Sequence, residues 1–197
     1  MQFTNCTKTP VQHYPIDTFL LNHFNYKLGT YWIYKDSLTG EEDSFFVHDN
    51  TFSSIQEISN SPALTDNIDI DIFQYNNAKQ YIAKWKMSLC ARIIFLAYAG
   101  NIDISYNAFI LIPFKAGLIG YNDADSGYVI SVNNIDTINS VTYYNIAIIR
   151  HLNDFFHVNA FFDDTFYFNS DVGIIKMDLK HDTHNIWELE RCKIIRN

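Results

Sequence analysis

The segment Ile68-Asp69-Ile70-Asp71-Ile72 alternates strictly between branched apolar and acidic side chains. Successive residues of an extended strand point to opposite sides, so this run puts isoleucines on one face and carboxylates on the other, as a half-buried strand does. Segments 30–36, 42–48, 52–58, 68–75, 81–87, 91–97 and 108–114 carry the same β-forming character, and 128–132, 138–150, 155–158, 165–168, 173–179 and 186–195 continue it. Clusters of Asn, Asp, Gly and Ser separate them. The first two flank Ser37-Leu38-Thr39-Gly40-Glu41, a short Gly-containing loop that signals a hairpin.

The expected fold is therefore all-β: an antiparallel meander forming a curved sheet, barrel-like (calycin-like) or a sandwich, over residues 16–197. Residues 138–150 read as one long strand or a bulged pair, and 16–21 as either a helical turn or an extended segment. No interval shows the 3.6-residue period of a long amphipathic helix, and there is no βαβ alternation to build a parallel nucleotide-binding sheet.

Composition narrows the function classes. Sixteen Phe and 13 Tyr in 197 residues suit pleated, half-buried surfaces. A net charge of -8 repels phosphate backbones, so nucleic acid is not an expected partner. No apolar run approaches the roughly 18 residues of a membrane-spanning helix.

Residues 1–15 are polar and punctuated by Pro10 and Pro15, which reads as a tether. Within it, Cys6 sits where a bacterial lipoprotein carries its attachment cysteine, followed at once by a polar stretch. The five residues ahead of it are too few for a signal peptide, so lipidation of Cys6 requires a signal sequence upstream of this chain. The other two cysteines, Cys90 and Cys192, either pair or remain small buried residues.

A resemblance points the same way. Tyr26-Lys27-Leu28-Gly29-Thr30-Tyr31-Trp32-Ile33-Tyr34-Lys35-Asp36-Ser37, followed by Gly40 and by Asp43-Ser44-Phe45-Phe46-Val47, resembles a group of uncharacterised lipoproteins from Bacteroidota. Ile112-Pro113-Phe114-Lys115-Ala116-Gly117, Val172-Gly173-Ile174-Ile175-Lys176-Met177 and Ile186-Trp187-Glu188-Leu189-Glu190-Arg191-Cys192-Lys193-Ile194-Ile195-Arg196 extend the likeness to roughly residues 13–196. The resemblance implies an exported, lipid-anchored, β-rich protein of the cell envelope, placed at the outer membrane, and supplies no catalytic residues. Gly29, Trp32 and Trp187 then read as structural landmarks.

Candidate chemistry is sparse. Asn122-Asp123-Ala124-Asp125-Ser126-Gly127 begins like a calcium loop, but the twelfth position from Asp123 is Asn134 in place of a bidentate Glu, so a turn is the better reading. His181 and His184 with Asp178 and Asp182 lie on a connecting loop without a metal-binding helix around them, and His151 and His157 flank a polar turn. Asp69 with Asp71, on one face, and Asp163 with Asp164, on opposite faces, are the carboxylate pairs a hydrolase would need. No Gly-x-Ser-x-Gly turn and no Gly-rich phosphate loop occurs, and no metal or cofactor is expected. The sequence leads to a non-enzymatic module, held to a membrane through its N-terminal lipid, that binds an apolar or carbohydrate ligand or an envelope protein. The alternative is an envelope hydrolase with a carboxylate-based site.

Overall fold

A computed structural model describes residues 11–57, 63–91, 93–99, 105–111, 117–119, 125–153, 162–180 and 185–196, with side chains for these except 57, 93–130, 133, 134 and 150–164. Cys6 and the segment 155–158 lie outside the described residues. The strands are β1 (Gln12–Tyr14), β2 (Tyr31–Asp36), β3 (Glu42–Glu57), β4 (Ala63–Tyr75), β5 (Tyr81–Cys90), β6 (Ile93–Ala99), β7 (Ser105–Leu111), β8 (Gly117–Ile119), β9 (Asp125–Ile138), β10 (Val141–Asn153), β11 (Phe162–Asn169), β12 (Gly173–Leu179) and β13 (Asn185–Lys193). One short helix, α1 (Thr18–Phe24), precedes β2.

The strands form a single sheet in the order β7-β6-β5-β4-β3-β2-β13-β12-β11-β10-β9-β8, with β1 added in parallel to β4. Two antiparallel meanders, β2 to β7 and β8 to β13, are thus joined where the first strand of one pairs with the last strand of the other. The sheet curls into a half-barrel. Its curvature has local causes: the register shifts at Val47/Asp49, Gln74/Tyr75, Leu189/Arg191, Ile148/Ile149 and Tyr167/Phe168, and such bulges bend a strand and increase its twist.

The alternation seen in the sequence sets the inner face. Ile68, Ile70 and Ile72 are buried, while Asp69 and Asp71 face outward. Trp32, Tyr34, Phe45, Met87, Phe168 and Met177 join them in one core. Helix α1 packs against this core. Asp17 caps it by accepting from the Phe19 amide at 2.8 Å, and Leu20 and Phe24, one turn apart, are both fully buried, Phe24 with its ring 5.3 Å from that of Phe168. The Asp17 amide donates to the Ala91 carbonyl at 2.7 Å, and Arg196 donates to the carbonyls of His23 and Asp171. The helix is thereby tied to both meanders.

Where the meanders meet, one ladder is incomplete. β12 and β13 pair only from Lys176 opposite Glu188 to Leu179 opposite Asn185. Beyond that point, side chains of β2 reach across: the Trp32 indole donates to the Val172 carbonyl at 2.7 Å and the Tyr34 hydroxyl to the Ile174 carbonyl at 2.7 Å. Gly173 lies between those carbonyls at φ +99°, and a Cβ there would stand 3.0 Å from the Tyr26 hydroxyl, so glycine is required on both counts.

The hairpin of β9 and β10 turns on Asn139 and Ser140, both at positive φ, as a two-residue primed turn demands. Asn169 fixes it by donating to the Tyr144 carbonyl at 2.7 Å, and Asn139 at its tip donates to the Leu189 carbonyl at 3.1 Å. The strand expected at 138–150, single or bulged, is β10 from Val141 onward, with a register shift at Ile148/Ile149, while Ile138 ends β9. Conversely, 42–48 and 52–58 merge into one strand through the bulge at His48, and β1 occupies part of the stretch expected to be a tether.

Removing the Tyr34 hydroxyl alone leaves a buried carbonyl without its donor, so Tyr34→Phe is expected to cost about 1–2 kcal/mol in urea unfolding. Tyr31→Phe, on the outer face, is expected to change stability by less than about 0.5 kcal/mol.

Candidate functional site

The inward-facing residues of β2, β3, β4, β5 and β12 leave a cavity of about 50 Å³. Its wall is made by Trp32, Tyr34, Phe45, Ile72, Trp85 and Met87, with Tyr26, Phe168, Gly173, Ile174 and Met177 completing it. All of these are apolar or aromatic; the Trp32 indole and the Tyr34 hydroxyl already donate to the carbonyls of Val172 and Ile174 and the Trp85 indole to Gln74, while the buried Tyr26 hydroxyl makes no hydrogen bond to a described residue. A water entering here would find few partners, whereas hydrocarbon would lose nothing.

One wall is set by a polar relay. The Trp85 indole donates to Gln74 Oε1 at 2.9 Å, and Gln74 Nε2 donates to Asp43 Oδ2 at 2.6 Å. Gln74 thus uses both ends of its amide, fixing the indole face toward the lumen. Asp43 is only 8% exposed, and burial raises its pKa above the ordinary carboxylate value despite the Gln74 hydrogen bond, with Glu41 adding to the rise.

The residues singled out by their chemistry do not converge here. Asp69 and Asp71 share the outer face, as their spacing requires, and each holds a lysine of β5: Lys86 at 2.7 Å and Lys84 at 2.6 Å. Partial burial acts to raise the Asp69 pKa, but hydrogen bonds from Lys86, Ser88 and Asn67 outweigh it and keep it below the ordinary value. This pair sits on a convex surface. Asp163 and Asp164 fall on β11 opposite Leu152 and His151, with their side chains outside the described set; His157, His181, Asp182, His184 and 122–124 lie outside the described residues altogether. No group of three or more His, Cys, Asp or Glu suited to a metal occurs among the described residues. Cys90 and Cys192 lie on β5 and β13, with β4, β3 and β2 between them in the sheet, and do not pair with each other.

Trp85 and Gln74 escaped sequence reasoning. The signal for Trp85 was present in the alternation of Ala83, Trp85, Met87 and Leu89, which places all four on one face. Gln74 carried no signal, because its role depends on a register with β3 and β5.

No protein-family model, no curated protein and no solved structure matches this chain.

A carboxyl whose pKa is raised by folding contributes stability below its unfolded value, here about 3.8, and loses it as pH rises through the folded value. Asp43→Asn keeps an acceptor for Gln74 without the buried charge. The variant is expected to be more stable than the parent at pH 7, with the gain vanishing as the pH approaches 4, read from urea unfolding at the two pH values.

Proposed function

We propose that the protein is a lipid-anchored binding module of the cell envelope, without catalytic activity, whose half-barrel receives the end of an apolar chain. The observation that carries this reading is the cavity: its wall is apolar and its orientation is fixed by hydrogen bonds from Trp32, Tyr34 and Trp85. Its size sets the ligand. Pockets for whole small molecules run to about 300–1,000 Å³, and roughly 150 Å³ holds a benzene, so 50 Å³ takes the last few carbons of an acyl chain or of a partner's side chain and excludes a sugar ring.

The attachment end supports the same reading. β1 is fastened to β4 by backbone pairing and by His13 on Asp66 at 3.0 Å. Cys6 stands six residues ahead of Gln12, so a lipid on its sulfur would hold the domain within about 20 Å of a bilayer. Carboxylate-based hydrolysis has less support, since the Asp69 and Asp71 charges are neutralised by lysines.

Titration with decanol, followed by indole emission, is expected to give a saturable change, because Trp32 and Trp85 border the lumen. Ile72→Phe, which fills the space, is expected to abolish that change while leaving the far-ultraviolet circular dichroism intact; a response that persists in this variant rules the cavity out as the site. For the anchor, palmitate incorporation into the chain expressed with its upstream codons is expected, and its loss in Cys6→Ala; equal labelling of both contradicts attachment at Cys6.

A further inference from the structure

One buried group in the wall of the lumen is left over once the fold has been satisfied. Tyr26 is 2% exposed, and its hydroxyl makes no hydrogen bond to a described residue. The residue is held firmly in place: its amide donates to the Phe24 carbonyl at 2.8 Å, its carbonyl accepts from Asn50 Nδ2 at 2.7 Å, and its ring stands edge to face with that of Trp32 at 4.9 Å. The hydroxyl oxygen lies beside Gly173, which also lines the lumen. A Cβ there would stand 3.0 Å from that oxygen and 3.6 Å from Trp32 Nε1, so glycine keeps this side of the hydroxyl uncovered. Arg196 stands over the Tyr26 ring at 5.9 Å, with its Nε and Nη2 on the carbonyls of His23 and Asp171. A guanidinium donates and never accepts, so whatever it lends to the oxygen, the hydroxyl proton still lacks a partner. Burial raises the phenol far above its ordinary pKa against the pull of Arg196, which keeps it a neutral donor.

We infer that the lumen selects hydrocarbon chains that carry a neutral carbonyl at or next to their end, with Tyr26 donating to the carbonyl oxygen. The inference rests on the reading of the lumen as a site for the end of an apolar chain, and adds the one polar feature such a ligand needs. A buried donor without an acceptor is costly, and a ligand oxygen that accepts from it removes that penalty. The other donors of the wall do not compete, because Trp32, Tyr34 and Trp85 already donate to Val172, Ile174 and Gln74. A carboxylate would bring an unpaired charge against apolar walls, and desolvation disfavours it. An alcohol entering hydroxyl first brings a donor of its own, for which the side chains of the wall offer no strong acceptor. A plain alkane leaves the Tyr26 proton as it is. A carbonyl oxygen accepts without donating, which matches the group left over. About 50 Å³ admits only a few carbons, so the carbonyl belongs on the first or second carbon, as in an aldehyde or a methyl ketone.

The test compares 2-heptanone with heptane, each titrated by indole emission into the parent chain and into Tyr26→Phe. Both compounds are expected to bind the parent. Tyr26→Phe is expected to weaken 2-heptanone about tenfold and to leave heptane unchanged. The carbonyl stretch of bound 2-heptanone is expected at lower frequency in the parent than in the variant, since a hydrogen bond to the oxygen weakens the C=O bond. Because the hydroxyl has no acceptor in the chain, Tyr26→Phe is expected to unfold at the same urea concentration as the parent; a clearly lower midpoint reveals an internal partner and overturns the proposal. Equal effects of the substitution on the two compounds also overturn it while leaving the lumen reading intact, the hydroxyl then holding a bound water only. A saturable response to neither compound, or one that survives Ile72→Phe, overturns the lumen reading and this inference with it.

Discussion

Two side chains of one strand bridge the place where the sheet has no ladder. β12 and β13 diverge above Lys176, leaving the carbonyls of Val172 and Ile174 without strand partners from β13, and the Trp32 indole and Tyr34 hydroxyl supply the missing donors. A buried carbonyl left unpaired costs about as much as a lost hydrogen bond, so the divergence is tolerable only because β2 presents a donor at two successive inward positions. The gap is also what gives the lumen its shape. Had β12 and β13 paired along their full length, there would be no carbonyls to hold these rings side on, and no wall of fixed aromatic faces.

Much else follows from that junction. The two meanders are consecutive in the chain and pair edge to edge through β2 and β13, while β7 at the far edge of the first lies near β8 and β9 of the second. Helix α1 packs Phe24 on Phe168 of the second meander and is tied to the first by the Asp17 amide on the Ala91 carbonyl, and within the second meander Asn139 at the β9–β10 tip donates to the Leu189 carbonyl of β13. The two faces differ in character: the inner one is lined by apolar and aromatic side chains, and the outer one carries ion pairs beside half-exposed rings.

Strand-level structure was legible in the sequence where periodicity was strong. Ile68 to Ile72 lie as their alternation requires, and the loop around Gly40 joins β2 to β3 as expected. Boundaries failed where a single backbone feature decided them. Asn139 and Ser140 at positive φ move the start of the strand read from Ile138 to Val141, and the bulge at His48 fuses two runs that read as separate. The ambiguity at residues 16–21 resolves to helix because Asp17 caps it and Leu20 and Phe24 fall on one side. Of the candidate sites, the carboxylate spacing was read correctly for faces but not for partners: Lys84 and Lys86 neutralise Asp71 and Asp69 only through the register of β4 with β5, which no local pattern encodes. The same holds for the outer-face rings of Tyr31, Phe46, Tyr75 and Tyr81, which are scattered along the chain and become neighbours only through pairing.

The account stands on the two meanders, joined by the β2–β13 ladder, being held as one cooperative body by the donors that β2 adds across β13. Amide hydrogen exchange, compared between the parent chain and Trp32→Phe, tests this most directly. The expected result is a matched loss of protection at Ile33 and Val47 in the first meander and at Ile175 and Met177 in the second. Protection lost at Ile33 and Val47 while Ile175 and Met177 exchange as before would show that the halves stand independently and contradict the account.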